Sequence, residues 1–174
     1  STGAGSPPAF ESVASVTWQI SAIVWNLTSA AAGSLDPFGT TDAHWEIADD
    51  VVPEDRMGSA TLISPTSGIW SFDATGYYRI YARLYLYTGE SSYNYAEIHT
   101  TDDNTFQIVA RASTGLYTGG TEASVHVECL LKITNVTNHK FKIKTVYQGG
   151  SGVQAFGSAT IGLTSVMAIK LGDI

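Results

Sequence analysis

Apolar residues alternate with other residues along much of the chain, and residues 76–87 show this pattern most clearly. The even positions are almost purely apolar, namely Tyr78, Ile80, Ala82, Leu84 and Leu86. The odd positions are aromatic or cationic, namely Tyr77, Arg79, Tyr81, Arg83, Tyr85 and Tyr87. Because side chains alternate across a β-strand, the pattern predicts a strand whose even positions face a core. The odd positions then form an outward row of residue types enriched at protein interfaces, unless a loop of the same chain covers them.

The same alternation predicts strands over most of the remaining chain. They are expected at residues 16–20, 23–27, 44–47, 59–64, 68–72, 93–100, 106–110, 122–134, 139–147 and 159–171. A break is expected at Ser21 and Ala22, and Pro65 is expected to end the strand before it. No segment has a convincing helical period. The fold class predicted is therefore all-β, an antiparallel β-sandwich or barrel of about 8–10 strands.

Two segments stand apart from this pattern. Residues 1–9 are rich in Gly, Ser and Pro, which predicts a flexible N-terminal arm before a single domain at 10–174. Residues 28–58 contain Gly and Pro breakers and seven acidic residues: Asp36, Asp42, Glu46, Asp49, Asp50, Glu54 and Asp55. Acidic oxygens are calcium ligands, but the order Asp-x-Asp-x-Asp-Gly is absent. We therefore expect a solvated acidic loop inserted into the domain.

The composition argues against some classes of partner. Charged residues make up 14% of the 174 residues, and the formal net charge is −7. Nucleic-acid binding through phosphates requires clustered Lys and Arg. The one basic cluster, Lys140, Lys142 and Lys144, has the period of a solvated strand face. No apolar run reaches the ~18 residues of a membrane-spanning helix. We therefore expect neither nucleic acid nor a membrane as a partner.

Residues suited to catalysis or metal binding are scattered along the chain. The single cysteine, Cys129, is in phase with the apolar face of its strand, which predicts a buried and inert thiol. The four histidines lie on different predicted elements without metal-ligand spacing. His99, near Glu97 and Asp102, is the nearest approach to a site. We therefore expect no enzyme activity, metal or cofactor; the alternative is a hydrolase with an unrecognised pair of carboxylates.

Two Gly-aromatic segments follow each other closely, Gly68-Ile69-Trp70-Ser71-Phe72 and Gly76-Tyr77-Tyr78-Arg79-Ile80. They resemble the signature "G-I-Y-x-F … G-x-Y-x-V" of the tumour necrosis factor-like jelly-roll superfamily, which includes the globular heads of complement and collagen-tailed proteins. The resemblance extends over residues 68–173. We expect the two strands to form a hairpin, with Gly76 permitting the tight turn between them.

The resemblance implies a compact jelly roll of about ten strands that forms a tight homotrimer about a threefold axis. In that family, the exposed aromatic face of the inner sheet packs against the neighbouring subunits. Tyr77, Tyr81 and Tyr85 match such a face. The predicted trimer interface is therefore the whole outward row, namely Tyr77, Arg79, Tyr81, Arg83, Tyr85 and Tyr87.

Modules similar to this one, poor in cysteine and in charge, also occur in phage and viral virion proteins as fibre heads or capsid decoration proteins. We therefore expect a non-enzymatic structural protein of a virion, assembled in the host cytoplasm, that decorates the capsid or forms a head fibre and binds capsid subunits. One alternative is a tail-fibre or adhesin head that binds a host receptor or glycan. Another is an extracellular signalling ligand, which the absence of disulfides disfavours.

Overall fold

The computed structural model describes residues 21–32, 35–40, 45–47, 62–88, 93–103, 105–115, 121–148, 154–158 and 162–174. Within them lie twelve strands: β1 (Ser21–Leu27), β2 (Ala31–Ala32), β3 (Trp45–Ile47), β4 (Ile63–Thr66), β5 (Ile69–Phe72), β6 (Gly76–Thr88), β7 (Tyr93–Thr101), β8 (Gln107–Gly115), β9 (Thr121–Ile133), β10 (Lys140–Gln148), β11 (Gln154–Ala155) and β12 (Ser165–Gly172). These residues contain no helix, and hence none able to cross a membrane. The predicted all-β class is confirmed. The predicted arm at 1–9, the predicted strand at 16–20 and much of the predicted loop at 28–58 lie outside the described residues.

The strands of the described residues form two antiparallel sheets that enclose one core. The seven-stranded sheet has the order β2–β11–β6–β12–β1–β3, and β9 also pairs with β6. The five-stranded sheet has the order β4–β5–β10–β7–β8. Strands that follow each other in the chain thus often lie in different sheets, as in a jelly roll. The predicted jelly-roll β-sandwich is confirmed.

The predicted hairpin of β5 and β6 is wrong. β5 belongs to the five-stranded sheet and β6 to the seven-stranded sheet, so residues 73–75 lead the chain from one sheet to the other. Gly76 begins β6 with a φ of +148°. A Cβ atom at Gly76 would lie 2.6 Å from the carbonyl oxygen of Gly172. Glycine is therefore needed here for a close approach to β12 and not for a hairpin turn.

Aromatic side chains fill the core between the sheets. Trp70 of β5 stacks on Phe141 of β10, with ring centroids 5.7 Å apart. Phe72 packs against Tyr78 of the opposite sheet at 4.8 Å. Trp45 of β3 packs edge-on against Trp70 at 5.1 Å, so a short strand predicted within the acidic segment contributes to the core.

Two predicted strand ends are wrong. β1 begins at Ser21, so Ser21 and Ala22 belong to a strand and not to a break. β4 continues through Pro65, which lies opposite Trp70 in the register. Within the described residues, β4 is an edge strand of its sheet, where a residue without an N–H group interrupts no ladder.

The alternation of Phe106, Ile108 and Ala110 predicts an apolar face on this strand, and the prediction is wrong at Ile108, which is 51% exposed. The register of β7 and β8 shifts between Ile98 and His99. This shift places Ile108 opposite His99 instead of in phase with the inward-facing Ile98. In the described part of the chain, β8 is the other edge strand of the five-stranded sheet, so its outward side chains lie at a margin of the sandwich.

Phe141→Ala is expected to lower the free energy of unfolding by about 3–5 kcal/mol, because it leaves a cavity beside Trp70. Denaturant unfolding followed by tryptophan fluorescence measures the change. Ser113→Ala, at an exposed position of β8, is the control and should alter stability by less than about 0.5 kcal/mol. Equal stability of the two variants would contradict the position of Phe141 in the core.

Candidate subunit interface

The alternation predicted for residues 77–87 is present in β6. Its even positions are all buried, namely Tyr78, Ile80, Ala82, Leu84 and Leu86. The odd positions point away from the core, on the outer face of the seven-stranded sheet. The structure therefore aligns the six residues of the predicted interface in one row: Tyr77, Arg79, Tyr81, Arg83, Tyr85 and Tyr87.

β9 supplies polar partners to this row. The guanidinium of Arg79 binds the carboxylate of Glu128 through two nitrogens, with Nε donating at 3.0 Å. The hydroxyl of Tyr81 forms a hydrogen bond with Nδ1 of His126. In both pairs, the β9 residue lies two positions before the one directly opposite in the register. The side chains thus meet along a diagonal of the sheet, and their polar groups are satisfied within the protomer.

The Tyr87 end of the row is covered by the same chain. The Tyr85 hydroxyl donates a hydrogen bond to Glu122 along the same diagonal, and this bond raises the pKa of Tyr85. The ring of Phe156 lies 6.0 Å from that of Tyr85 and 5.8 Å from that of Tyr87. Contacts within the same chain therefore bury part of the Tyr85 and Tyr87 side chains.

β12 adds apolar residues to the outer face of the seven-stranded sheet. The sequence analysis did not place these residues in the predicted interface. Val166 and Ala168 fill the core, so Met167, Ile169 and Leu171 lie on the outer face. Met167 and Ile169 are directly opposite members of the β6 row. Since residues 166–169 are apolar on both faces of the strand, the sequence itself carried a signal of burial on two sides.

The Tyr77 end of the row is open and apolar. Leu130 of β9 is 72% exposed, and Leu171 and Tyr77 are exposed as well. Leu130 and Leu171 line a shallow depression of about 560 Å³ beside the ion pair of Arg79 and Glu128. An apolar surface of this kind, rimmed by polar groups, is typical of a protein contact site.

Cys129 lies behind this surface and is half-buried. Burial, together with the neighbouring charge of Glu128, raises the pKa of the thiol to about 12. The thiol is therefore protonated at neutral pH, which agrees with the predicted inert cysteine.

The structure brings together two of the three residues singled out near His99. Nε2 of His99 lies 2.7 Å from the Glu97 carboxylate, and both side chains are buried. Nε of Arg111 donates to the other oxygen of Glu97 at 2.7 Å. Asp102 is exposed in the turn that follows β7. This group lies on the five-stranded sheet and links β7 to β8, which is a structural role.

The prediction of a solvated face at Lys140, Lys142 and Lys144 is wrong for two of the three. Nζ of Lys142 lies 2.5 Å from the Asp36 carboxylate, and Nζ of Lys144 lies 3.4 Å from it. Asp36 comes from the predicted acidic loop, and its segment runs beside β10 through the bridge of Leu35. Among the described residues, no three His, Cys, Asp or Glu side chains are grouped to hold a metal ion.

Because the carboxylate of Glu97 is buried and hydrogen-bonded, we expect the stability of the fold to depend on pH. Burial alone would raise the pKa of Glu97, but the hydrogen bonds from His99 and Arg111 outweigh it and hold the pKa below its usual value of 4.5. A lowered pKa stabilises the fold above the unfolded value, and this contribution is lost as the pH falls through the folded value. The wild type should therefore lose stability below about pH 4.5.

Glu97→Gln is expected to be less stable at neutral pH and to lose less stability on acidification. Thermal unfolding over a series of pH values measures both effects. Asp173→Asn, which removes an exposed partner of Lys170, is the control and should keep the pH profile of the wild type. An unchanged profile in Glu97→Gln would contradict the assigned role.

Comparison with known proteins rests on structure. No family model matches the chain, and no curated protein matches its sequence. Among solved structures, Eiger TNF from S. frugiperda is similar, with a TM-score of 0.62 at 13% identity over 90% of this chain and 95% of that chain. Murine APRIL at pH 5.0 is similar, with a TM-score of 0.61 at 10% identity over 87% of this chain and 99% of that chain. The chain therefore has the jelly-roll fold of TNF-like proteins, which confirms the fold that the sequence resemblance implied.

Proposed function

We propose that this protein is a non-enzymatic module that self-associates as a homotrimer through the outer face of its seven-stranded sheet. The observation that carries the proposal is the open apolar end of that face, where Leu130, Leu171 and Tyr77 are exposed together. The tyrosine and arginine row of β6 continues this surface across the middle of the sheet. The likeness to TNF-like structures supports a fold suited to such an assembly.

The energetics favour burial of this face. Covering one leucine or tyrosine contributes on the order of 2 kcal/mol, so Leu130, Leu171 and the β6 tyrosines supply a substantial apolar term. The polar groups of Arg79 and Tyr81 are already paired with Glu128 and His126. Burying polar groups that keep their hydrogen bonds costs far less than burying unpaired ones.

The finer role that we propose is a structural protein of a virus or phage particle, either a capsid decoration protein or a head fibre. The support is compositional: one cysteine, 14% charged residues and a fold that offers a self-association face. In this role, the trimer stands on the particle surface and binds capsid subunits. It acts by holding neighbouring subunits together and not by chemistry.

A second candidate function, an adhesin head that binds a host glycan or receptor, is favoured by one cavity. This cavity has a volume of about 310 Å³ and lies between the β7–β8 turn and the ends of β9 and β10. Hydrogen-bonding side chains line it, among them Thr100, Thr105, Gln107 and His139. Hydroxyl, amide and imidazole groups of this kind recognise sugar hydroxyls.

The wild type is expected to be a trimer by light scattering coupled to size exclusion. Tyr81→Asp places a charge in the centre of the proposed interface and should shift the mass to that of the protomer. Tyr95→Asp, on the five-stranded sheet beside Arg111, is the matched control and should remain a trimer. A wild type that stays monomeric at every concentration would refute the proposed assembly.

A binding experiment separates the two candidate functions. The decoration role predicts saturable binding to capsid shells purified from the native source and no binding to any glycan on a glycan array. The adhesin role predicts specific glycan binding that Gln107→Ala weakens by roughly tenfold, as expected for the loss of one hydrogen bond in a ligand site. Ser113→Ala, outside the cavity, is the control and should bind like the wild type.

A further inference from the structure

Three arginines lie in the described part of the chain, and two of them use the same binding mode. Arg79 binds Glu128 through Nε and a terminal nitrogen. Arg111 binds Glu97 through the same pair of nitrogens. In each case, one edge of the guanidinium is occupied by a single carboxylate oxygen from the neighbouring strand, in charge-assisted hydrogen bonds.

Arg83 is different. Its Nε is shielded from solvent and has no hydrogen-bond partner among the described residues. Leaving such a donor unpaired costs free energy in the isolated protomer. The position of Arg83 is central, since it lies in the middle of the β6 row with paired strands on both sides.

The register explains why Arg83 lacks the partner that Arg79 has. Polar pairs between β6 and β9 form with the residue two positions before the direct partner, as between Arg79 and Glu128. For Arg83 the direct partner is His126, so the diagonal position is Ser124. A serine therefore stands where the repeated pattern would place a carboxylate.

Glu128, at the other diagonal position of β9, is held by Arg79, and the residues in line with Arg83 across β12 are uncharged or distant. Ser165 of β12 lies directly opposite, and Asn26 of β1 lies beyond it. Glu46 of β3 is the next residue in the same transverse line. Three strand spacings of about 4.8 Å separate Glu46 from Arg83, which places that carboxylate beyond direct contact.

We propose that Arg83 is an oxyanion-binding site that takes a carboxylate or phosphate group from outside the protomer. Because Nε is shielded, the two terminal nitrogens of the guanidinium receive the group, and their N–H bonds fit a carboxylate or a phosphate in a two-bond arrangement. The group comes either from a free anion or from a carboxylate of a second copy, and for that second source the inference rests on the proposed self-association. In both cases, the ligand pairs the one guanidinium that the described part of the face leaves without a carboxylate.

The direct test is a titration of the isotope-labelled protein with inorganic phosphate at constant ionic strength, followed through the Nε–H signals of the arginines. The Arg83 signal should shift in a saturable manner, whereas the Arg79 and Arg111 signals should not. Absence of any Arg83 shift with phosphate and with protein concentration would overturn the proposal, as would equal shifts of all arginines.

Two variants isolate the site. Arg83→Gln should abolish phosphate binding measured by calorimetry. Ser124→Glu should supply the missing internal carboxylate and weaken phosphate binding by about tenfold or more, since it occupies the fork. Arg111→Gln, on the five-stranded sheet, is the control and should bind phosphate like the wild type. Wild-type affinity in Arg83→Gln would refute the site even if Ser124→Glu failed to fold.

The source of the oxyanion is read from the dependence on protein concentration. If a second copy supplies it, the Arg83 signal shifts as the protein is concentrated in the absence of phosphate, and Ser124→Glu removes this shift. If a free anion supplies it, the signal responds to phosphate alone. Phosphate binding by a protein that remains monomeric would support this inference while refuting the trimer, so the two proposals fail separately.

Discussion

The structure depends on the hydrogen bonding of β6 along both of its sides. β9 pairs with it from Gly76 to Thr88, and β12 and then β11 pair with its other side. A strand held in this way cannot slip in register without turning its whole apolar set out of the core. The same constraint fixes the outward row, because each odd position is set by the burial of its even neighbours. The core and the candidate interface are thus two consequences of one register.

The outer faces of the two sheets differ in chemistry. On the five-stranded sheet, Lys142 and Lys144 hold Asp36, and Arg111 holds Glu97, so charges of opposite sign close the surface. On the seven-stranded sheet, apolar side chains at the Tyr77 end stay uncovered within the described residues. A closed face stabilises the protomer, whereas an open one is suited to contact with another molecule.

The alternation of apolar residues along the sequence correctly predicted those features of the fold that it determines directly. The inward phase of β6 and the core positions of β9 are of this kind, because period-2 patterning decides them directly. The crossing from β5 to β6 was not predictable in this way, since a short Gly-containing turn looks the same between strands of one sheet or of two. Pro65 was misjudged because tolerance of proline depends on edge position, which is a property of the assembled sheet.

The candidate interface was likewise predicted only in part, because some of its residues are brought together by strand pairing and not by local pattern. The row of residues 77–87 followed from its composition, whereas Met167 and Ile169 required the pairing of β12 with β6 to be known. The partners of Lys142 and Lys144 come from a segment about a hundred positions earlier, and no spacing rule connects such residues. The unmatched state of Arg83 likewise appears only when β6 and β9 are aligned.

The shift in register between Ile98 and His99 has a consequence for the kind of assembly that this fold permits. A regular edge strand is a template on which a strand of another molecule can pair, and repeated addition leads to open fibres. The irregular pairing of β8, with the charged Arg111 on it, makes that edge a poor template. Contact through the sheet face avoids this edge, and a face contact whose rotation closes gives a ring of a few copies. The irregular ladder at β8 thus closes one route to the open-ended addition of strands.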